Sequence, residues 1–325
     1  MTILISSFNY IGDGRRQTHP EFPRIPKITF LHSLSSIMSL QGKLALITGC
    51  SGGIGQATAL ALAIRGCSIA VHYNSAKGPA DDLVAELKKL NGIRAHAFQA
   101  DLADYDSVRA MHAAVVDILG NPDILFNNAG TTGTVVGKRG NIESVTLDDF
   151  EKTWKINTGS SFLLTQLCVP HMVSQKYGRI VFCSSVAAGE SNMFSSTRFP
   201  HPTSVAQASA ASLGHITLPL SLHYMVSYIG SLSGTPKKEL PAMPSLQHLS
   251  KVRAFTLQTD GSKFILAFAD TTMMSNPSDE IRNMIPVGRL GKPHEVASVV
   301  ETLVTNAYLT NKIMVVDGGI TPSAF

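Results

Sequence analysis

From Gln41 onward, short apolar runs alternate with longer stretches in which apolar residues recur every three or four positions. "KLALIT" (Lys43 to Thr48) predicts a buried strand, and "GIGQATALALAIRG" predicts a helix that stops at Gly66. The pair then repeats. "CSIAVHY" reads as strand and Pro79 to Leu90 as helix; "RAHAFQA" follows as strand, Asp104 to Leu119 as helix, and "DILFNNAG" as a strand running into polar residues. Thr146 with Asp149 forms a capping box that predicts a long helix through Tyr177, and "GRIVFCSS" supplies the fifth strand. Near the other end "KFILAFA" (Lys263 to Ala269) is strand-like, Pro293 opens a helix to about Thr305, and "KIMVVDGG" closes the sheet. Strands alternating with helices in this way imply right-handed crossovers, hence an α/β domain with a doubly wound parallel sheet covered on both faces.

Between the two regular flanks the rhythm fails. Residues 190–262 are rich in Ser and Pro, and no Asp, Glu, Lys or Arg occurs between Arg198 and Lys237. An irregular segment of that length, in place of the helix expected after strand five, is a functional insertion, disorder, or sequence foreign to the domain. Its uncharged part, "LGHITLPLSLHYMVSYIGSLSG", has the length of a membrane span, but two histidines, a proline and many serines dilute its hydrophobicity, so no membrane association is expected. The expected organisation is an extension over residues 1–40, one domain over 41–319 and a short tail over 320–325. The extension lacks the apolar core and small-residue cleavage site of a secretory signal. Its arginines leave a mitochondrial presequence open against a disordered extension, or a start upstream of a true one at Met38.

Composition changes this picture little. With 44% hydrophobic and 15% charged residues, the 325-residue chain can bury a large core. The net charge of +4 is spread without a basic run, which argues against nucleic acid as a partner. Cys50, Cys67, Cys168 and Cys183 follow no zinc or CxxC spacing, and this usage points to a reducing, cytoplasmic location with no metal.

The chemistry sits where strands end. "TGCSGGIG" (Thr48 to Gly55) lies between the first strand and first helix, where backbone N–H groups and the positive end of a helix dipole can meet a pyrophosphate. A glycine cluster alone also fits an ordinary strand-to-helix turn. "NNAG" (Asn127 to Gly130) follows strand four, "KIN" with Asn157 lies in the next helix, and "SSVAAG" follows strand five. This set, in this order, together with the tail "IPVGRLGKPHEVASVVETLVTNAYLTNKIMVVDGG", resembles the short-chain dehydrogenase/reductase family, and most closely its 3-oxoacyl carrier-protein reductase-like members. The resemblance covers Leu40 to Gly189 and Lys263 to Gly319 and implies a Rossmann-type fold.

The resemblance implies that Gly49, Ser51, Gly53, Ile54 and Gly55 hold a pyrophosphate, that Asp101 and Leu102 border the adenine, and that Asn128, Ala129 and Gly130 line the nicotinamide side. Asp101 could instead merely cap the following helix. At the end of strand two a carboxylate would favour NAD; His72, Tyr73, Asn74 and Ser75 include no acid, so NADP is expected, with Asn74 or Ser75 as phosphate contact and Lys77 as the available positive charge.

For catalysis the resemblance implies Ser185 as the carbonyl-orienting serine and Asn157 as the asparagine that anchors a relay water. The family's tyrosine and lysine do not follow. Where they are expected, "PHPTSVAQASAASLGHIT" puts Pro202 and Ala206, neither of which can move a proton. Tyr73 and Lys77 have the spacing but lie at the end of strand two. The expected activity is NADP-dependent hydride transfer between nicotinamide and a ketone or secondary alcohol, weak or absent in this chain. A non-catalytic dinucleotide-binding regulator or scaffold is the rival reading. A retained intron or shifted frame across Gly189 to Asp270 would explain the loss; coding DNA with no splice signal and no frame encoding Tyr-xxx-Lys there excludes it. The resemblance further implies a homo-oligomer, with a small carbonyl compound or alcohol as substrate.

Overall fold

Four residues of unbroken apolar sequence, Leu44–Ile47, form the central strand β1, and both of its faces are buried. That is why the run does not alternate with polar residues. The computed structural model describes residues 39–131, 133, 145–185, 259–266, 269, 279–310 and 312–320, all within one compact unit. After β1 come α1 (Gly53–Ile64), β2 (Ser68–Tyr73), α2 (Lys77–Leu87), β3 (Ala95–Gln99), α3 (Tyr105–Ile118) and β4 (Ile124–Asn127). α4 (Leu147–Trp154), a π-helical turn (Lys155–Gly159) and α5 (Ser160–Ser174) lead into β5 (Gly178–Ser185). β6 (Thr259–Leu266), α6 (Asp279–Met284), α7 (Pro293–Thr305) and β7 (Ile313–Val316) complete the described elements.

The seven strands form one sheet in the order β3-β2-β1-β4-β5-β6-β7, and every pairing is parallel. The order reverses between β1 and β4, and such a reversal opens a crevice at the carboxyl ends of the strands. Ala45, Ile47, Ile69, Val71 and Phe126 pack on one side with Leu62 of α1, Leu87 of α2 and Val300 of α7. Leu44, Leu46, Ala70 and Leu125 pack on the other with Val115 of α3 and Leu164 of α5.

Several boundaries differ from the sequence expectation: the helix read over Pro79 to Leu90 runs Lys77–Leu87, and the strand read to Ala269 ends at Leu266. The long helix expected after Thr146 begins as read: Thr146 accepts the Asp149 N–H at 3.1 Å. It is broken by the π turn and ends at Ser174. There Lys176 adopts a left-handed φ of 52°, and Tyr177 N–H donates back to the Met172 carbonyl at 3.1 Å, a helix stop that usually uses glycine. β6 starts at Thr259, ahead of the expected Lys263, because Gly178 to Ser185 offers a full eight-residue partner edge.

Among the described residues no helix is long and apolar enough to cross a membrane. The extension, most of the irregular segment 190–262 with its uncharged stretch, and the last residues lie outside the described ones.

Candidate functional site: the carboxyl edge of the sheet

The loop after β1 is tied to both neighbouring strands. Thr48 N–H donates to the Phe126 carbonyl at 3.0 Å, and Thr48 Oγ1 accepts the N–H groups of Asn128 (2.9 Å) and Ala129 (3.0 Å). Asn128 Nδ2 donates to the Thr48 carbonyl at 2.9 Å and to the Gly49 carbonyl at 3.2 Å. From the other side, Gly49 N–H donates to His72 Nδ1 at 2.9 Å, and Cys50 N–H donates to the His72 carbonyl at 2.9 Å. The loop is therefore held at its first three residues, Thr48, Gly49 and Cys50, and Gly52 N–H closes its turn on the Gly49 carbonyl at 3.1 Å.

Two of its glycines are required by space. Gly49 has φ +61°, and a Cβ there would stand 2.9 Å from Ala129 Cα. A Cβ on Gly55 would stand 2.6 Å from Cys50 Cα and 2.6 Å from the Gly49 carbonyl oxygen, both backbone atoms that cannot swing aside. α1 then opens behind Gly52, with no capping side chain and no acid in its first turn. The first-turn amides of Gly53, Ile54 and Gly55, with Ser51 beside them, present the positive end of α1 to the crevice. An anionic group is what such an end stabilises.

Of the four residues read as cofactor-selecting, only two face outward. His72 and Tyr73 are buried, whereas Asn74 and Ser75 are exposed. Lys77, expected to supply positive charge, begins α2 with its ammonium paired to Asp81 one turn further on. At the end of β3, Asp101 accepts the Ala103 N–H at 2.9 Å, and the helix cap is Asp104, which accepts the Asp106 N–H at 3.0 Å. Leu102 is 4% exposed and belongs to the core with Phe98 and Met111, so its side chain is turned away from solvent.

At the end of β4, Asn128 spends its amide on the glycine loop, and Gly130 is exposed. Asn127 is buried, and neither its Oδ1 nor its Nδ2 has a hydrogen-bond partner. Asn157, in the π turn, exchanges two bonds with the Thr131 backbone: Thr131 N–H donates to Oδ1 at 2.8 Å, and Nδ2 donates to the Thr131 carbonyl at 2.9 Å. That side chain fixes the loop after β4, a role the sequence did not announce. Ser185 is the last residue of β5, in register with Leu266 and three residues beyond Phe182, which pairs with the end of β4. The residues that follow Ser185, with Pro202 and Ala206 at the positions where the tyrosine and lysine are expected, lie outside the described ones.

Two of the described tyrosines, Tyr177 and Tyr308, lie away from the crevice. Tyr177 lies just before β5, at the opposite edge, with Lys43 Nζ 4.0 Å above its ring; burial raises its phenol to about 12. Tyr73 and Lys77 are not alone in the Tyr-xxx-Lys spacing: Tyr308 and Lys312 share it. This second pair spans the turn between α7 and β7, also at the opposite edge, with Tyr308 93% exposed.

Residues 43–197 match the model of the family described as short chain dehydrogenase. The 3-oxoacyl-[acyl-carrier-protein] reductase of Synechocystis is 31% identical over 285 residues, covering 87% of this chain and 98% of its own. Among solved structures, a blue fluorescent protein from a metagenomic library in complex with NADPH superposes with a TM-score of 0.66 at 27% identity, over 87% of this chain and 100% of that one. A 7α-hydroxysteroid dehydrogenase complexed with NADH and 7-oxo glycochenodeoxycholic acid superposes with a TM-score of 0.64 at 25% identity, over 88% and 96%.

The burial of His72 sets a pH dependence of folding. Burial lowers its pKa from 6.5 to about 4, so the unfolded chain binds more protons between those values. Its contribution is complete above pH 6.5 and falls away as the pH drops toward about 4. Urea midpoints are expected to decline across that window, and His72→Asn is expected to flatten the decline. The whole effect is on the order of 3 kcal/mol.

Proposed function

The chain belongs to the short-chain dehydrogenase/reductase family of NAD(P)-dependent oxidoreductases, and from that premise we propose that it binds NADP(H) in the crevice and turns over carbonyl substrates weakly or not at all. The observation that carries the binding half is the loop after β1, anchored by Asn128 and His72 and opening into a helix start without a capping side chain. The residues fit a dinucleotide: glycine stands at both positions where a side chain would collide, and the loop carries no acid to repel phosphate.

In this reading Gly49, Ser51, Gly53, Ile54 and Gly55 hold the pyrophosphate, with Ala129 and Gly130 on the nicotinamide side. Asp101 and the Leu102 backbone border the adenine, and Asn74 and Ser75 meet the adenosine ribose. Asn128 and Asn157 keep the loops after β1 and β4 in place. When bound, the nicotinamide supplies or accepts the hydride. Ser185 orients and polarises the carbonyl. Its hydroxyl is a poor proton donor, and in this sequence no lysine stands four residues after any tyrosine between Ser185 and β6. That absence also supports the rival reading of a cofactor-binding regulator. The free state of all four cysteines accords with the reducing cytoplasmic location that we propose.

NADP is preferred over NAD because no carboxylate stands among the four residues from His72 to Ser75. The preference is modest, since Asp81 already neutralises Lys77.

Two measurements check this reading. Titration is expected to give tighter binding of NADP⁺ than NAD⁺, while turnover on a panel of ketones stays below the roughly 1–10³ per second of ordinary enzymes. Equal affinities remove the preference, no binding removes the site, and ordinary turnover shows a proton donor in the segment after Ser185. Separately, Asp81→Asn is expected to release Lys77 and raise the NADP⁺ over NAD⁺ affinity ratio by roughly twofold to fivefold, the scale of an exposed ion pair.

A further inference from the structure

His72 joins three strand ends through one buried ring. It is 2% exposed at the end of β2, receives the Gly49 N–H on Nδ1 at 2.9 Å, and places Nε2 3.1 Å from the Ala100 carbonyl just beyond β3. These partners fix its state. A backbone N–H can only donate, so Nδ1 carries the lone pair and the Nε2 proton goes to the Ala100 carbonyl. The ring is neutral, and a second proton would face the Gly49 N–H head on.

Among the described residues, no side-chain charge is placed to compensate such a proton. Cys50, on the loop, is a buried thiol whose sulfur lies 3.6 Å from the Gly55 carbonyl, and burial pushes its pKa up, so it stays neutral. Asp101, beyond β3, is bonded to the Ala103 N–H. Asp104, the cap of α3, and Asp106 in its first turn are occupied by the Asp106 N–H and by Arg109, and the phenol of Tyr105 is raised by burial. On β2 itself the adjacent Tyr73 packs with the opposite core cluster.

We infer that His72 is a positioning residue for the dinucleotide site: its neutral ring holds the Gly49 amide, and with it the glycine loop, in the conformation that accepts the pyrophosphate, and protonation of the ring releases that hold. The inference rests on the reading of the crevice as a dinucleotide site. It differs from a merely structural role because the two ring nitrogens do separable work, Nδ1 on the loop and Nε2 on β3.

Two variants separate them. The side-chain oxygen of His72→Asn stands where Nδ1 stood and keeps an acceptor for Gly49, losing the Ala100 bond. His72→Gln reaches the position of Nε2 and keeps Ala100, losing Gly49. The full chain is titrated with NADP⁺, which survives acid, from pH 8 to pH 4, with thermal midpoints recorded in parallel. Both variants are expected to melt earlier. At pH 7.5 the Kd of His72→Asn is expected within about twofold of the parent, and that of His72→Gln weaker by roughly fivefold to tenfold, the scale of one net hydrogen bond. Below pH 6 the parent is expected to lose affinity more steeply than His72→Asn, which reports the background titration of the 2′-phosphate. Equal Kd values for the two variants, or superimposable pH profiles for the parent and His72→Asn, overturn the inference and leave the site reading intact. Failure of the parent to bind either NADP⁺ or NAD⁺ overturns both.

Discussion

The crevice depends on a backbone that cannot be satisfied by its own strand. β1 ends at Ile47, and the polar groups of Thr48 and Gly49 fall just beyond the ladder, in a partly buried position where unpaired N–H and C=O groups are costly. They are met from both sides, by Asn128 beyond β4 and by His72 on β2. Because the loop is held there and glycine stands at the two crowded positions, the next turn can lead directly into α1 with its first amides turned to the crevice. Burial, hydrogen bonding and the anion-accepting helix end are thus one arrangement.

Much of this was legible in the sequence. Apolar runs of strand length alternating with helical spacing gave the order of elements and the parallel sheet, while the place of its reversal, between β1 and β4, is seen only in the structure. The glycine loop and the motifs after strands four and five were legible as a set. The directions of individual side chains were not. Leu102 and Asn128 read as lining residues, yet one is core and the other clamps the neighbouring loop. Lys77 read as a spare charge, but the helix that begins with it places Asp81 one turn away. His72 read only as a missing acid. A polar residue in the buried half of a strand was the available signal, and it acquires meaning only when Gly49 and Ala100 are brought beside it. The π turn left no pattern in apolar spacing, since Asn157 is defined by its bonds to Thr131.

The two halves of the chemistry differ in standing. The proposed binding half draws on β1 to β4 and their loops, which lie within the residues 43–197 that match the family model. The proton-transfer half depends on the segment after Ser185, where the sequence departs from the family pattern and offers no tyrosine with a lysine four residues on. A phenol without such a lysine ionises near pH ~10 and is a poor acid–base catalyst at neutral pH. In the proposed reading, cofactor affinity is set by the loop after β1 and turnover by the residues beyond β5.

The proposed dinucleotide site runs along the ends of β1, β2 and β4, and amide chemical shifts on isotope-labelled full-length protein report the location directly. On addition of NADP⁺, the amides of Ser51, Gly53, Ile54, Gly55, Ala129 and Gly130 are expected to shift most, while those around Tyr177 and Tyr308 at the opposite edge stay in place. Shifts centred on the opposite edge, or none in the loop after β1 at saturating cofactor, would contradict it.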